Sequence, residues 1–155
     1  MNWIYDGFLI AAILHVLEEF VLPGGFLIFM KKMAPQIAPF ATPGFAILIN
    51  GLFLLLCVIG VWFGRSVPFF GLSIAALVGI NGIIHTAGAV RVRGYAPGLV
   101  SGVLLYFPLA VIAYVWCLGS GRLTVGQGIG AFFLGAAFQL VPMVYLGIAY
   151  LLKRA

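Results

Sequence analysis

Besides Asp6, the chain's only acidic residues are Glu18 and Glu19, which follow His15 by three and four positions. On a helix those offsets return to one side, so the two carboxylates flank the stripe that begins at the imidazole. Asn81 and His85, four apart, stack in the same way on a later segment. Two histidines and adjacent carboxylates on facing helices form a ligand set for a transition metal, with His15, His85 and Glu19 as ligands and Glu18 as the base. The two glutamates can exchange these roles, since one helical turn does not decide between them. Neutral imidazole and ionised carboxylate tolerate burial far better around a divalent cation, which also leaves a position where water or substrate is activated. Zinc and iron both suit such donors. The plain alternative is a metal-free, hydrogen-bonded His–Glu network that pins two helices together. The spacing matches neither the HExxH nor the HxxEH zinc motif.

The elements that must carry these groups are membrane helices. Of 155 residues, 65% are hydrophobic and 7% charged, too few polar groups to cover a water-soluble globule. About 20 residues cross a hydrocarbon core. Apolar segments at approximately 3–22, 42–63, 68–90, 97–118 and 124–152 are each long enough. The expectation is an all-α polytopic bundle of about five transmembrane helices, forming a single domain over 1–155. Pro23-Gly24-Gly25 breaks the first segment, Lys31 and Lys32 followed by Pro35, Pro39 and Pro43 make the longest loop, and Gly64-Arg65-Ser66 makes a short hairpin. Arg91, Arg93, Gly94 and Pro97 mark the third turn, and 119–122 the fourth. Phe26 through Met30 is apolar but too short to span, and is expected at the interface or against helix ends.

Charge sets an orientation. Lys31, Lys32, Arg91, Arg93, Lys153 and Arg154 share one face, against Arg65 and Arg122 on the other. The positive-inside rule then puts the N-terminus outside and the C-terminus in the cytoplasm, in a bacterial-type cytoplasmic membrane. The basic residues sit singly or in twos at helix ends, which gives no nucleic-acid site. Cys57 and Cys117 lie in different apolar segments without CxxC spacing and read as small buried hydrophobes. The first segment contains His15, Glu18 and Glu19 and lacks a basic leader, so it reads as a retained helix rather than a signal peptide. Glycines at four-residue spacing, Gly98/Gly102 and Gly126/Gly130, read as close helix packing, and self-association stays open.

Depth brings the polar residues level. At about 1.5 Å per residue from the outer ends near Trp3 and Phe69, Glu19 and His85 lie roughly 24 Å down and His15 and Asn81 about 18 Å. Asn50 in the second segment and Gln139 in the fifth fall in the same middle or inner half and read as polar lining. Ionisable groups in hydrocarbon are costly, with estimates for a helix-centre acid starting near +2.5 kcal/mol, so they face the bundle interior with partners.

His15-Val16-Leu17-Glu18-Glu19, the later His85, and Tyr95-Ala96-Pro97-Gly98 together resemble the signature of the HXXEE-domain family of small membrane proteins. The resemblance runs from the first helix to the start of the fourth. It implies membership and site residues, namely His15, Glu18, Glu19 and His85, and no particular reaction. Pro97 suits an early position of the fourth helix. Tyr95 then stands at the interface, either as a belt residue or with its hydroxyl at the mouth of the cavity. Arg91 and Arg93 beside it orient the chain or hold a lipid phosphate or a carboxylate substrate.

The function expected from these residues is that of a membrane metalloenzyme, hydrolytic or oxidative, acting on a lipophilic or amphipathic small molecule that arrives from the inner leaflet or cytoplasm. Glu18, Glu19, Asn81 and Tyr95 are its candidate catalytic residues. One rival is a metal-free acid/base isomerase or cyclase of isoprenoid or sterol-like substrates. Another is a transporter or proton pathway, whose sign would be paired broken helices in two symmetric halves; no such symmetry is visible. A purely structural subunit is the third.

Overall fold

A computed structural model of the chain describes residues 3–21 and 25–154. Within them lie six helices and no strand: α1 Trp3–Val21, α2 Gly25–Met33, α3 Pro43–Phe63, α4 Pro68–Val92, α5 Leu99–Gly119 and α6 Val125–Arg154. A single turn of 3-10 helix, Ala38–Phe40, leads into α3. Helices α3 to α6 are each long and apolar enough to cross a membrane, and α1 with α2 makes a fifth such unit, bent by 75° between its halves. The molecule is an all-α bundle whose apolar helices mark a membrane protein. The expected segments agree with these helices to within a few residues. Pro23 and Gly24, read as the first break, lie outside the described residues.

Local chemistry explains the ends. Thr42 caps α3 by accepting from the Phe45 amide at 3.2 Å, and Pro43 at the first helical position gives up an amide that would have no partner anyway. Pro68 opens α4 in the same manner. Pro97 does not open α5, contrary to the sequence expectation. Gly98 has φ 88, a left-handed conformation that a right-handed helix cannot run through, so α5 starts one residue later at Leu99. The apolar stretch Phe26 through Met30 lies in α2, with Phe29 and Met30 buried. There it packs against the bundle, as Phe29 does at Gly88 of α4.

α4 is the central helix: 56% of its spanning window is buried, against 28% or less in α3, α5 and α6. Small residues make this position available. Gly60 of α3 meets Ile74, Gly79 meets Ala110, and Gly82 packs on the Gly102 backbone of α5. Gly135 of α6 lies on Ser73, Ala76 and Leu77. Together with Tyr5 at Gly71, Glu19 at His85 and Gly130 on Phe69, these pairings make α1, α4 and α6 run one way and α3 and α5 the other. At the α1 N-terminal end Arg65 donates to both Asp6 oxygens at 2.9 Å, an exposed ion pair that ties the α3–α4 hairpin to α1. Of the glycines read as packing positions, Gly102 and Gly130 fill that role, Gly130 against Phe69, while Gly126 touches nothing beyond Thr124. Cys57 and Cys117 are buried and free, as expected.

The α4–α6 seam is tight. A Cβ at Gly135 would overlap Ala76 Cβ at 2.6 Å and the Leu77 amide nitrogen at 2.7 Å, and backbone cannot yield as a side-chain tip can. Gly135→Val should destabilise the bundle by roughly 1–3 kcal/mol, the usual range for overpacking, while Gly147→Val, in open space, should not. Thermal unfolding in lipid nanodiscs measures both, and equal stability of the two variants would contradict the packing described.

Candidate functional site

Glu18 and Glu19 are consecutive on α1, so they leave the helix about 100° apart and meet different neighbours. Glu18 turns to α5. The first amides of a helix have no intrahelical acceptor, and the N-cap residue Gly98 carries no side chain to supply one. Glu18 supplies it from another helix: Oε1 accepts from the Val100 amide at 3.0 Å and Oε2 from the Ser101 amide at 2.8 Å. The Tyr95 hydroxyl donates to Oε1 and the Ser101 hydroxyl to Oε2, each at 2.5 Å. A buried carboxylate at a helix N-terminus with four donors is stabilised both by those bonds and by the positive end of the helix dipole. Partial desolvation and the bond to Glu18 raise the Tyr95 phenol above its ordinary value, so it stays protonated and donating at neutral pH.

The same network sets the tautomer of His15. The Ser101 proton goes to Glu18, so Ser101 Oγ accepts from His15 Nδ1–H at 2.8 Å. His15 Nε2 therefore carries a lone pair, pointed at Glu19 Oε1 3.7 Å away. His85 Nε2 approaches the same Glu19 oxygen at 3.2 Å. One ligand atom from each of His15, Glu19 and His85 falls within 4.8 Å of the others, and all three residues are buried. The three residues expected as metal ligands thus come together from α1 and α4.

Gly98 matters here in a way its packing interpretation did not anticipate. A Cβ at this position would fall 2.5 Å from His15 Cε1 and 2.9 Å from His85 Nδ1, so the turn that ends in Gly98 closes directly over both imidazoles. Glycine is required twice, by its φ and by that contact. Inside α5, residues Gly102–Tyr106 form a π turn, after which Pro108 offers no amide to the preceding turn. The turn places Tyr106, fully buried, with its ring 4.7 Å from that of His15.

Below the cluster lies a cavity of about 550 Å³ bounded by α2, α3, α4 and α6. Its polar lining is Glu19, His85, Asn50, Asn81 and Gln139; the rest is aliphatic, aromatic and methionine side chains. Asn81 does not join the His/Glu cluster, and it faces the cavity with an unpaired Oδ1. Asn50 donates to its own helix at the Ala46 carbonyl, 3.1 Å away, and lies alongside Glu19. Gln139 is buried on the wall. Tyr95 reaches Glu18 rather than the cavity. Arg91 and Arg93 are exposed and line neither cluster nor cavity.

Four buried polar atoms lack a hydrogen-bond partner among the described residues: His15 Nε2 and His85 Nδ1 of the cluster, Asn81 Oδ1 on the cavity, and the Oη of Tyr106, whose ring packs beside His15. Native interiors leave few such atoms, and these are concentrated in one place. Ser101 and Tyr106 escaped the sequence reading. Ser101 had a signal, being the one Ser, Thr, Asn or Gln in 97–118. Tyr106 had only the proximity of Pro108.

Removing the trans-helix cap should loosen the start of α5. Glu18→Ala takes the acceptor from two amides and two hydroxyls, and hydrogen bonds to a charged group contribute about 1.5–3 kcal/mol. Amide exchange at Val100 and Ser101 should accelerate by about 10–100-fold, with little change in α6. Unchanged protection at these two amides would contradict the capping role.

No curated protein and no solved structure matches the chain. A family described as "protein of unknown function with HXXEE motif" matches residues 7–113, more than half of the chain. That stretch takes in His15, Glu18, Glu19, His85 and the turn 95–98, the residues that build the cluster and its cover. The chain belongs to the HXXEE family.

Proposed function

We propose that this protein is an integral membrane metalloenzyme acting on a lipophilic or amphipathic small molecule, with His15, His85 and Glu19 as the ligands of a zinc or iron ion. The observation that carries the proposal is the convergence of three buried ligand atoms within 4.8 Å, one of them a histidine nitrogen that its hydrogen-bond network leaves as an unpaired acceptor. Metal-binding histidines characteristically donate their other N–H to an oxygen that fixes ring and tautomer. Ser101, backed by Glu18, does this for His15. Only modest closure of the three ligands would be needed for bond lengths of about 2.0–2.2 Å. A bound divalent cation would supply Lewis acidity toward a substrate oxygen or a water.

The roles of the two glutamates then separate. Both Glu18 oxygens are committed to donors of α5 and of Tyr95 in the turn before it, so Glu18 positions His15 through Ser101 and is not free to take a proton from a substrate. Glu19 borders the cavity, and its carboxylate is the group that meets both imidazoles and a ligand in that space. The distribution of basic residues supports an orientation with the N-terminus outside and the site toward the inner half of a bacterial-type cytoplasmic membrane.

The 3.2 Å contact between Glu19 and His85 also favours a second reading, a metal-free isomerase in which this pair delivers a proton to an apolar substrate. Metal analysis separates the two. Untagged protein purified in nanodiscs should carry near-stoichiometric zinc or iron by mass spectrometry, lost in His15→Ala and His85→Ala at equal folded yield. Ser101→Ala should keep the fold but lower metal affinity by about 10–100-fold, the usual cost of removing an outer-shell partner. Wild-type protein still metal-free after reconstitution with zinc and ferrous iron would sink the metalloenzyme and promote the isomerase.

A further inference from the structure

The cavity beside Glu19 is selective by what it lacks. Its sole acidic residue is Glu19 and none of its lining residues is a lysine or an arginine, although basic residues crowd the nearby helix ends. Away from the ion proposed at His15, Glu19 and His85, an anionic head group set beside Asn81 and Gln139 would lose its hydration and meet no basic side chain, a costly arrangement in a low-dielectric interior. The available partners are uncharged amides: Asn81, whose Oδ1 is unpaired, and Gln139, buried on the cavity wall. Pro142 adds another, because it has no amide to give and leaves the Phe138 carbonyl on the same wall without its helical donor. Such groups suit a neutral hydroxyl, which both donates and accepts, or a carbonyl, which accepts from the amide NH2 groups.

The way in is sideways. α3 packs on α1 and α4, and α6 packs on α4; α3 and α6 meet at the basic end, where Phe45 stacks on Tyr145 with ring centroids 5.2 Å apart, and beyond that contact the cavity lies between them. Leu52 and Leu55 of α3 and Val141 and Met143 of α6 line the cavity and are also exposed on the outer, lipid-facing surface. At the basic end the buried side chains of Phe29, Met30, Phe45 and Leu146 close it off. From Phe45 to Leu56 the lining runs along α3 for about 16 Å at 1.5 Å per residue, room for a hydrocarbon chain rather than a compact polar metabolite.

We infer that the ligand of this site is an uncharged single-chain or similarly slender lipid bearing one hydroxyl or carbonyl oxygen, which enters laterally from the bilayer between α3 and α6 and sets its oxygen among Asn81, Gln139 and Glu19. This rests on the reading of the His/Glu cluster as a site and gives it a substrate class. It replaces the sequence expectation of a phosphate or carboxylate held by Arg91 and Arg93, which stand outside the cavity.

The test uses the full chain in phospholipid nanodiscs, so that no detergent tail competes, with three photoreactive straight-chain probes carrying a mid-chain diazirine: a fatty alcohol, the matching fatty acid at mildly alkaline pH, and the alkyl phosphate. Peptide mass spectrometry maps the label, and bound metal is measured on the same samples. The alcohol should label α3 around Leu52 and α6 around Met143, at least about tenfold above either anion. Asn81→Leu and Gln139→Leu should each cut that labelling by about tenfold, the loss of a buried hydrogen bond. Leu52→Trp, which narrows the lateral opening without touching the polar lining, should also cut it and leave metal content unchanged. Arg91→Ala with Arg93→Ala should leave alcohol labelling intact. Equal or stronger labelling by the anions, or alcohol labelling that ignores Asn81, Gln139 and Leu52, overturns the inference. If metal is bound but head groups are not discriminated, the metal reading survives and this inference fails; head-group-dependent labelling of metal-free protein gives the reverse.

Discussion

Two adjacent carboxylates inside an apolar bundle must each find donors, and much of the site follows from how that is met. Glu18 finds its donors at the beginning of α5, where two amides would otherwise be unpaired. One interaction thereby resolves two difficulties, a buried acid and an uncapped helix. It also fixes where α5 begins, and with it the position of Ser101, Gly98 and Tyr95. Glu19, on the neighbouring face, is left to the histidines and the cavity.

The consequence is a division of labour within the HXXEE motif. The histidine and the second glutamate contribute atoms to the cluster, whereas the first glutamate holds the element that covers it. The chain Glu18, Ser101, His15 links the two halves: a hydroxyl whose proton is committed to a carboxylate can only accept from the imidazole, and so the imidazole presents a lone pair to Glu19. The turn 95–98 belongs to the same assembly. Tyr95 ties it to Glu18, and Gly98 lets its backbone lie on both imidazoles. His85 reaches this point only because small residues let α4 run through the middle of the bundle.

Beside this rigid cluster stands a roomier space. α3 and α6 diverge enough to leave a cavity whose walls are apolar except near Glu19, His85 and three amides. Rigid polar groups at one end and an adaptable wall of leucine, phenylalanine and methionine elsewhere are what a site for a slender lipophile requires. The π turn of α5 and Pro142 of α6 both interrupt regular helix next to it, where the bundle interior can tolerate irregular backbone.

By itself the sequence determined the helices and the depth of their polar residues. Runs of about 20 apolar residues mark spanning helices, and a rise of 1.5 Å per residue makes Glu19 level with His85, and His15 with Asn81, without any knowledge of packing. The i, i+3 and i+4 spacing also put Glu18 and Glu19 on the side of His15. It could not say which glutamate meets which helix, because that depends on the rotation of α1 against α4 and α5, and rotation is set by close contacts such as Gly82 on Gly102. For the same reason Tyr95 and Pro97 were legible as a motif but not as a latch and a turn, and Asn81 was legible as polar but not as cavity wall. Tertiary structure alone decided the trans-helix cap, the Ser101 relay, the place of Tyr106 and the cavity between α3 and α6. Each joins residues far apart in the chain, and local periodicity carries no information about such pairs.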